Sequence, residues 1–167
     1  MKILVFDSTP LIYLGKVKVL EKLEYLKTKN IIPSKVYKEV IEGGKKFGFV
    51  ETIYIEKLVK NKIFEIKEFK NIDKLESNYP LSEADIEVLS AAKQLRGIAV
   101  MDEVAAREIA SIENIETGGS IFILFSLLRR GKMNKKEFKN ILDEMINLGW
   151  RCSTELYLTI LNELNKL

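Results

Sequence analysis

Ile3-Leu4-Val5-Phe6 is an unbroken apolar run of strand length, the pattern of a strand buried on both faces of a sheet. It stops at Asp7-Ser8-Thr9-Pro10, where Ser8 or Thr9 is suited to cap a helix and Pro10 to occupy its first turn. Leu11, Ile12, Leu14, Val17, Leu20, Leu23 and Leu26 then recur at helical spacing. Ile31-Ile32-Pro33 reads as a short strand, and Ser34 opens a helix through Val36, Val40 and Ile41 that Gly43-Gly44 is expected to end. A further helix is predicted over about 49–60, followed by the alternating Lys62-Ile63-Phe64-Glu65-Ile66-Lys67 of an edge strand. After a polar connection over 67–80, Ser82 and Asp85 form an S-x-x-D capping-box start to a helix carrying Ile86, Leu89 and Leu95, closed by Gly97. Ile98-Ala99-Val100-Met101 is a second wholly apolar strand, ending at Asp102, with a helix over 103–111. Ile115 is placed in a last short strand before Gly118-Gly119, and helices are expected over about 120–130, 135–148 and 154–166.

Strands alternating with helices predict an α/β domain with a short parallel sheet of four or five strands between helical layers. The reading is one domain over 1–167, with a core over about 1–117 and C-terminal helices over about 118–167. In such sheets the functional crevice lies beyond the carboxyl ends of the strands. Two apolar strands end there in an acid, Asp7 and Asp102.

Composition narrows the chemistry. The chain has no histidine and one cysteine, Cys152. This excludes Ser-His-Asp and Cys-His catalysis, and metal sites built on histidine or on several cysteines. Any catalysis must run on carboxylates, cations, hydroxyls or a hard oxygen-loving metal. The net charge of +3 is too small to argue for nucleic-acid binding by itself. The first 80 residues carry 16 basic and 11 acidic groups, the remainder 11 and 13. The longest apolar run, 121–125, is far too short to span a bilayer, and the N-terminus lacks a signal-peptide pattern. A cytoplasmic protein without membrane contact is the expectation.

Four acids from separate segments are candidates for one site: Asp7, Glu39, Asp85 and Asp102. Clustered carboxylates raise one another's pKa unless a cation compensates. Without histidine, that cation is expected to be Mg²⁺ or Mn²⁺, which activates water and stabilises charge on a scissile phosphate. The segments Phe6-Asp7-Ser8-Thr9-Pro10-Leu11-Ile12, Ile32-Pro33-Ser34-Lys35-Val36-Tyr37-Lys38-Glu39-Val40, Leu81-Ser82-Glu83-Ala84-Asp85 and Val100-Met101-Asp102-Glu103 resemble, in order, the motifs of PIN-domain ribonucleases. The tail, through Ile121-Phe122-Ile123-Leu124, Lys132 and Ser153-Thr154-Glu155-Leu156-Tyr157, looks like a VapC-like branch common in archaea and bacteria. The resemblance implies a three-layer α/β/α PIN-like fold and a metal-dependent endoribonuclease that leaves a 5′-phosphate and a 3′-hydroxyl. It implies that Asp7, Asp85 and Asp102 hold the metal directly or through water, that Glu39 is the fourth acid, and that Thr9 supports the site. The third motif of the family is often Gly-Glu-x-Glu, so Glu83 or Glu87 could share or take the role of Asp85. Many relatives carry an aspartate where Glu103 stands.

Plainer readings accompany these. Asp7 and Asp85 also suit helix starts, and Glu39 suits an exposed helix face. The basic stretch 129–139 is an RNA-backbone patch or a solvated helix junction. Trp150 and Cys152, between two amphipathic helices, read as core or interface. RNA is the expected substrate, in a toxin paired with an antitoxin protein or in an RNA-processing enzyme. The rivals are a catalytically weak PIN-like module that binds RNA or protein, and an acid-metal phosphatase or nucleotide-binding domain. The latter lacks both a phosphate-cradling Gly-rich loop and a second aspartate two residues after the first. The stretch 121–128 is apolar nearly all round, and Leu156, Ile160, Leu161 and Leu164 extend that surface, so a homodimer is expected, with packing inside the chain as the alternative.

Overall fold

The structure, a computed structural model, describes residues 1–72 and 74–167 with their side chains. Five parallel strands form one sheet: β1 (Ile3–Phe6), β2 (Lys29–Pro33), β3 (Glu65–Lys67), β4 (Ile98–Val100) and β5 (Thr117–Gly118), in the order β3-β2-β1-β4-β5. The register pairs Val5 with Ile31 and Phe6 with Val100, so β1 and β4 end level with one another. Leu4, Val5, Phe6 and all of β4 are buried, as continuous apolar runs in a doubly covered parallel sheet must be. β3 is an exposed edge, and its alternation of charge with Ile66 is the usual protection of an unpaired strand.

The helices are α1 (Ser8–Lys16), α2 (Ser34–Tyr37), α3 (Gly43–Phe47), α4 (Val50–Lys60), α5 (Asp73–Asn78), α6 (Glu83–Leu95), α7 (Val104–Ile112), α8 (Ser120–Arg129), α9 (Lys135–Asn147) and α10 (Thr154–Lys166). They flank the sheet in a three-layer α/β/α arrangement, with α6 lying across β1, β2 and β4, and α1 packing on α4, α8 and α9. One apolar cluster runs from Leu4 to Leu164 and takes in Trp150, Phe138 and Met145 from the tail. No helix of the described residues is long and apolar enough to cross a membrane.

Three local expectations are corrected. The periodic stretch after Pro10 is not one helix: α1 ends in a Schellman turn, with Lys18 at φ 54° and the Val19 amide on the Leu14 carbonyl, and a 3-10 helix covers Leu20–Leu26. A lysine supplies the left-handed residue, so no glycine announces the break. Gly43-Gly44 does not end the second helix. A π-helical turn over Lys38–Glu42 joins α2 to α3, and the chain leaves the helix at Gly48, at φ 69°. Gly44 is small because α4 crosses it: a Cβ there would lie 2.2 Å from the Thr52 hydroxyl. Finally, the residue at the N-cap position of α1 is Asp7 rather than Ser8 or Thr9.

Candidate active site

Beyond the carboxyl ends of the strands, β1 and β4 form the topological switch point of the sheet. β1 leads to β2 on one side, and β4 lies on the other. The Asp7 amide donates to the Val100 carbonyl at 2.9 Å, fixing Asp7 beside the end of β4. Its carboxyl makes no capping bond to α1, although Asp7 holds the capping position. Burial raises this carboxyl from its ordinary 3.8 to about 7, and the charge of Asp85, then those of Glu39 and Asp102, push it the same way against the Ser8 amide. The charges of the other three predicted acids therefore all act on Asp7. None of the four has an ion-pair partner among the described residues.

Each acid arrives differently. Asp85 sits in the first turn of α6 and closes the predicted capping box: the Ser82 hydroxyl accepts from the Asp85 amide at 3.1 Å, and Asp85 Oδ2 accepts from the Ser82 amide at 3.4 Å and from the Ser82 hydroxyl at 2.7 Å. Glu39 lies exposed on the π turn, where an extra residue shifts the helix face. Asp102 is the most fully held. Its Oδ1 accepts from the Ser120 amide at 2.7 Å, and its Oδ2 accepts from the Ser120 hydroxyl at 2.6 Å and from Trp150 Nε1 at 2.9 Å.

The hold on Asp102 needs two glycines. A Cβ on Gly119 would lie 2.7 Å from Asp102 Oδ1, so only glycine lets the chain pass this close. At Gly149, φ of 103° closes the Schellman turn after α9, with the Trp150 amide on the Met145 carbonyl at 2.9 Å. That turn delivers the buried indole to the carboxylate. Sequence reasoning placed Trp150 in a core or interface and left Ser120 without a role. The signal for Ser120 was the Gly-Gly step before a helix; for Trp150 there was none.

The remaining candidates separate. Thr9 and Glu103 line a cavity of about 910 Å³ together with Asp102, Tyr13, Arg107 and Trp150. Asp7, Glu39 and Asp85 do not border it. Glu83 is exposed and pairs with Lys35 at 3.5 Å. Glu87 is fully buried and its carboxylate accepts from the Ser34 hydroxyl and the Lys35 and Phe69 amides at 3.0, 2.8 and 3.1 Å. It ties the start of α2 to the loop after β3, so its oxygens already serve three donors.

Among the described residues no three acids stand close enough to close round one ion as the side chains lie. The chemistry of the donor set nonetheless fits a hard divalent cation. The buried Asp7 carboxyl feels the charges of three more acids, and Asp102 Oδ1 and Asp85 Oδ1 keep acceptor capacity. An ion that retains part of its water shell, as Mg²⁺ does, would need fewer direct carboxylate ligands than a fully dehydrated one.

The family model for DUF3368, described as a PIN domain, matches residues 3–166, nearly the whole chain. The chain belongs to the PIN-domain family. PIN domains are generally nucleases and typically use divalent metals. Among solved structures, the fold is similar to a PilT N-terminus domain protein, SSO1118, of Sulfolobus solfataricus P2, with TM-score 0.52 and 12% identity over 75% of this chain and 93% of that one. It is also similar to a domain of a functionally unknown protein of Methanocaldococcus jannaschii, with TM-score 0.51 and 17% identity over 71% of this chain and 91% of the other. At these identities the likeness speaks for the PIN fold alone. No curated protein matches the chain.

Proposed function

We propose that this PIN domain is a metal-dependent ribonuclease, and the observation that carries the reading is the unpaired acid set around Asp7 at the switch point of the sheet. Asp7, Asp85 and Asp102 would hold Mg²⁺ or Mn²⁺, with Glu39 as the fourth acid and Thr9 as a supporting hydroxyl. The chemistry such an ion supplies is activation of water for in-line attack and neutralisation of charge on the scissile phosphate, leaving a 5′-phosphate and a 3′-hydroxyl. Ser120 and Trp150 orient Asp102, leaving an Oδ1 lone pair for the ion or its water. Burial and the neighbouring acids raise the pKa of the Asp7 carboxyl to about 7, and Asp7 would have to be ionised to hold a cation, so metal binding would be coupled to loss of its proton.

The setting is a cytoplasmic toxin held by an antitoxin protein, or an RNA-processing enzyme, and the working unit is a homodimer. A second reading, a catalytically weak module that binds RNA or protein, draws on the spacing of the acids, which among the described residues leaves no three around one point.

One experiment separates the two readings. Single-stranded and structured RNAs are incubated with the protein in Mg²⁺, in Mn²⁺ and in excess chelator, beside Asp7→Asn and Asp102→Asn proteins whose folding is checked by circular dichroism. The nuclease reading expects cleavage in metal that both substitutions and chelator abolish. Cleavage that persists in chelator defeats it, and RNA retained uncleaved in every condition supports the binding module.

A further inference from the structure

A second hollow, of about 540 Å³, lies at the opposite, amino-terminal edge of the sheet. Four cations line it from three separate segments: Lys2 before β1, Lys27 at the end of the 3-10 helix, and Arg129 and Arg130 at the end of α8. No acid lines it, and none of the four is ion-paired among the described residues. A helix C-terminus favours Arg129 and Arg130 but does not account for Lys2 and Lys27. Like charges gathered round one hollow repel, and a bound anion relieves them.

The two cavities meet along α8. Phe122 lines both, Phe125 lines the one beside Asp102, and the Arg129 guanidinium lies 5.6 Å from the Phe125 ring. A Cβ on Gly118 would lie 2.6 Å from the Phe122 ring, so the glycine makes room for that ring against the strand end. Positions 122, 125 and 129 share one helix face. The strip begins beside Ser120, which grips Asp102, and ends about 15 Å on, by the rise of a ten-residue helix, at the cationic hollow. Half-buried aromatic faces followed by unpaired cations are the ingredients of a single-strand track, with rings for bases and cations for phosphates.

We propose that the hollow formed by Lys2, Lys27, Arg129 and Arg130 binds the phosphate backbone of single-stranded RNA that runs along α8 from the acid site. The proposal rests on the ribonuclease reading for the choice of RNA as the polyanion. Its surface is of one charge sign throughout, which selects a polyanion over a protein of mixed charge.

The test is binding of a fluorescein-labelled single-stranded RNA of about 12 nucleotides to the full chain in chelator, followed by anisotropy across a salt series. A Lys27→Ala/Arg130→Ala protein is compared with Lys57→Ala/Lys60→Ala, which removes the same charge from α4. All four positions are exposed, so folding is preserved. The hollow variant is expected to bind at least tenfold more weakly, with the salt slope reduced by about 1.4, the loss of two single-strand phosphate contacts. The α4 variant is expected to bind like wild type. No binding by wild type, equal loss in both variants, or no loss in either overturns the proposal. So does a wild-type dimer that dissociates in the hollow variant, which would assign the face to a second copy. Because the assay runs without metal, weakened binding by the hollow variant beside a wild type that cleaves no RNA retains the proposal and sinks the nuclease reading. Cleavage with unchanged binding does the reverse.

Discussion

Asp7 is a buried carboxyl held among other acids. Its folded pKa of about 7 stands above the ordinary 3.8, so the folded state holds a proton that the unfolded state has lost between those values. The stability of the metal-free protein therefore falls as pH rises from about 4 to about 7, and the penalty is complete above that range. Asp7→Asn should raise metal-free stability at pH 8 by about 2–4 kcal/mol, an effect that shrinks to nothing below pH 4. Thermal melts in chelator at both pH values check this, and an unchanged midpoint at pH 8 contradicts it. Trp150 is the sole tryptophan, and its Nε1 donates to the Asp102 carboxylate. Trp150→Phe keeps an aromatic ring in the buried site but removes that donor and part of the indole's volume. The expected losses are about 1.5–3 kcal/mol of stability and 10–100-fold in metal affinity or RNA cleavage, the scale of a partner that orients a metal-holding carboxylate. Mn²⁺ titration followed by calorimetry reads the second loss apart from turnover.

At the scale of elements, the junction from β5 to α8 does the positioning. Gly119→Ala puts a methyl group where Asp102 Oδ1 lies, so the carboxylate must shift. RNA cleavage should fall at least about tenfold while circular dichroism stays unchanged, since φ of −126° suits alanine. A different junction steadies α7. Glu113, nearly fully buried, accepts from Lys74 and Lys93, each at 3.2 Å, and from the Tyr79 hydroxyl at 2.8 Å. Those partners lower its pKa from 4.5 to about 2. The stabilisation is present above about pH 4.5 and is lost as pH falls towards 2. Glu113→Gln should lower the melting midpoint at neutral pH and flatten the acid limb of the stability profile. An identical acid limb in the two proteins would show that Glu113 has no part in it.

For the whole molecule, the layer arrangement decides which apolar surface stays open. Ile123, Leu124 and Leu127 of α8 are buried within the chain, so the intrachain alternative accounts for much of the surface that suggested a dimer. On α10, Ile160 and Leu164 turn inward while Leu156 and Leu158 stay exposed. We propose that α10 supplies the homodimer face. Light scattering at micromolar concentration should give twice the 19.2 kDa chain mass, reverting to one chain in Leu158→Glu. A single-chain mass for wild type removes the dimer.

The sequence by itself determined the strands that matter and the acids that follow them. A run buried on both faces has to be apolar throughout, so Ile3–Phe6 and Ile98–Val100 announce themselves, and Asp7 and Asp102 stand out at their ends. The capping box at Ser82 was legible because local chemistry alone makes it. Tertiary structure decided the rest. Lys18 takes a left-handed turn that lysine does not advertise, and the π turn over Lys38–Glu42 carries the chain past two glycines, of which Gly44 is small to let α4 pack. Glu87 and Asp85 are both acids of one helix, yet three donors from distant segments commit Glu87 to holding loops together. Trp150 reaches Asp102 from 48 positions away because the Gly149 turn aims it there. Such contacts join residues with no spacing in common, and so leave no periodic trace along the chain.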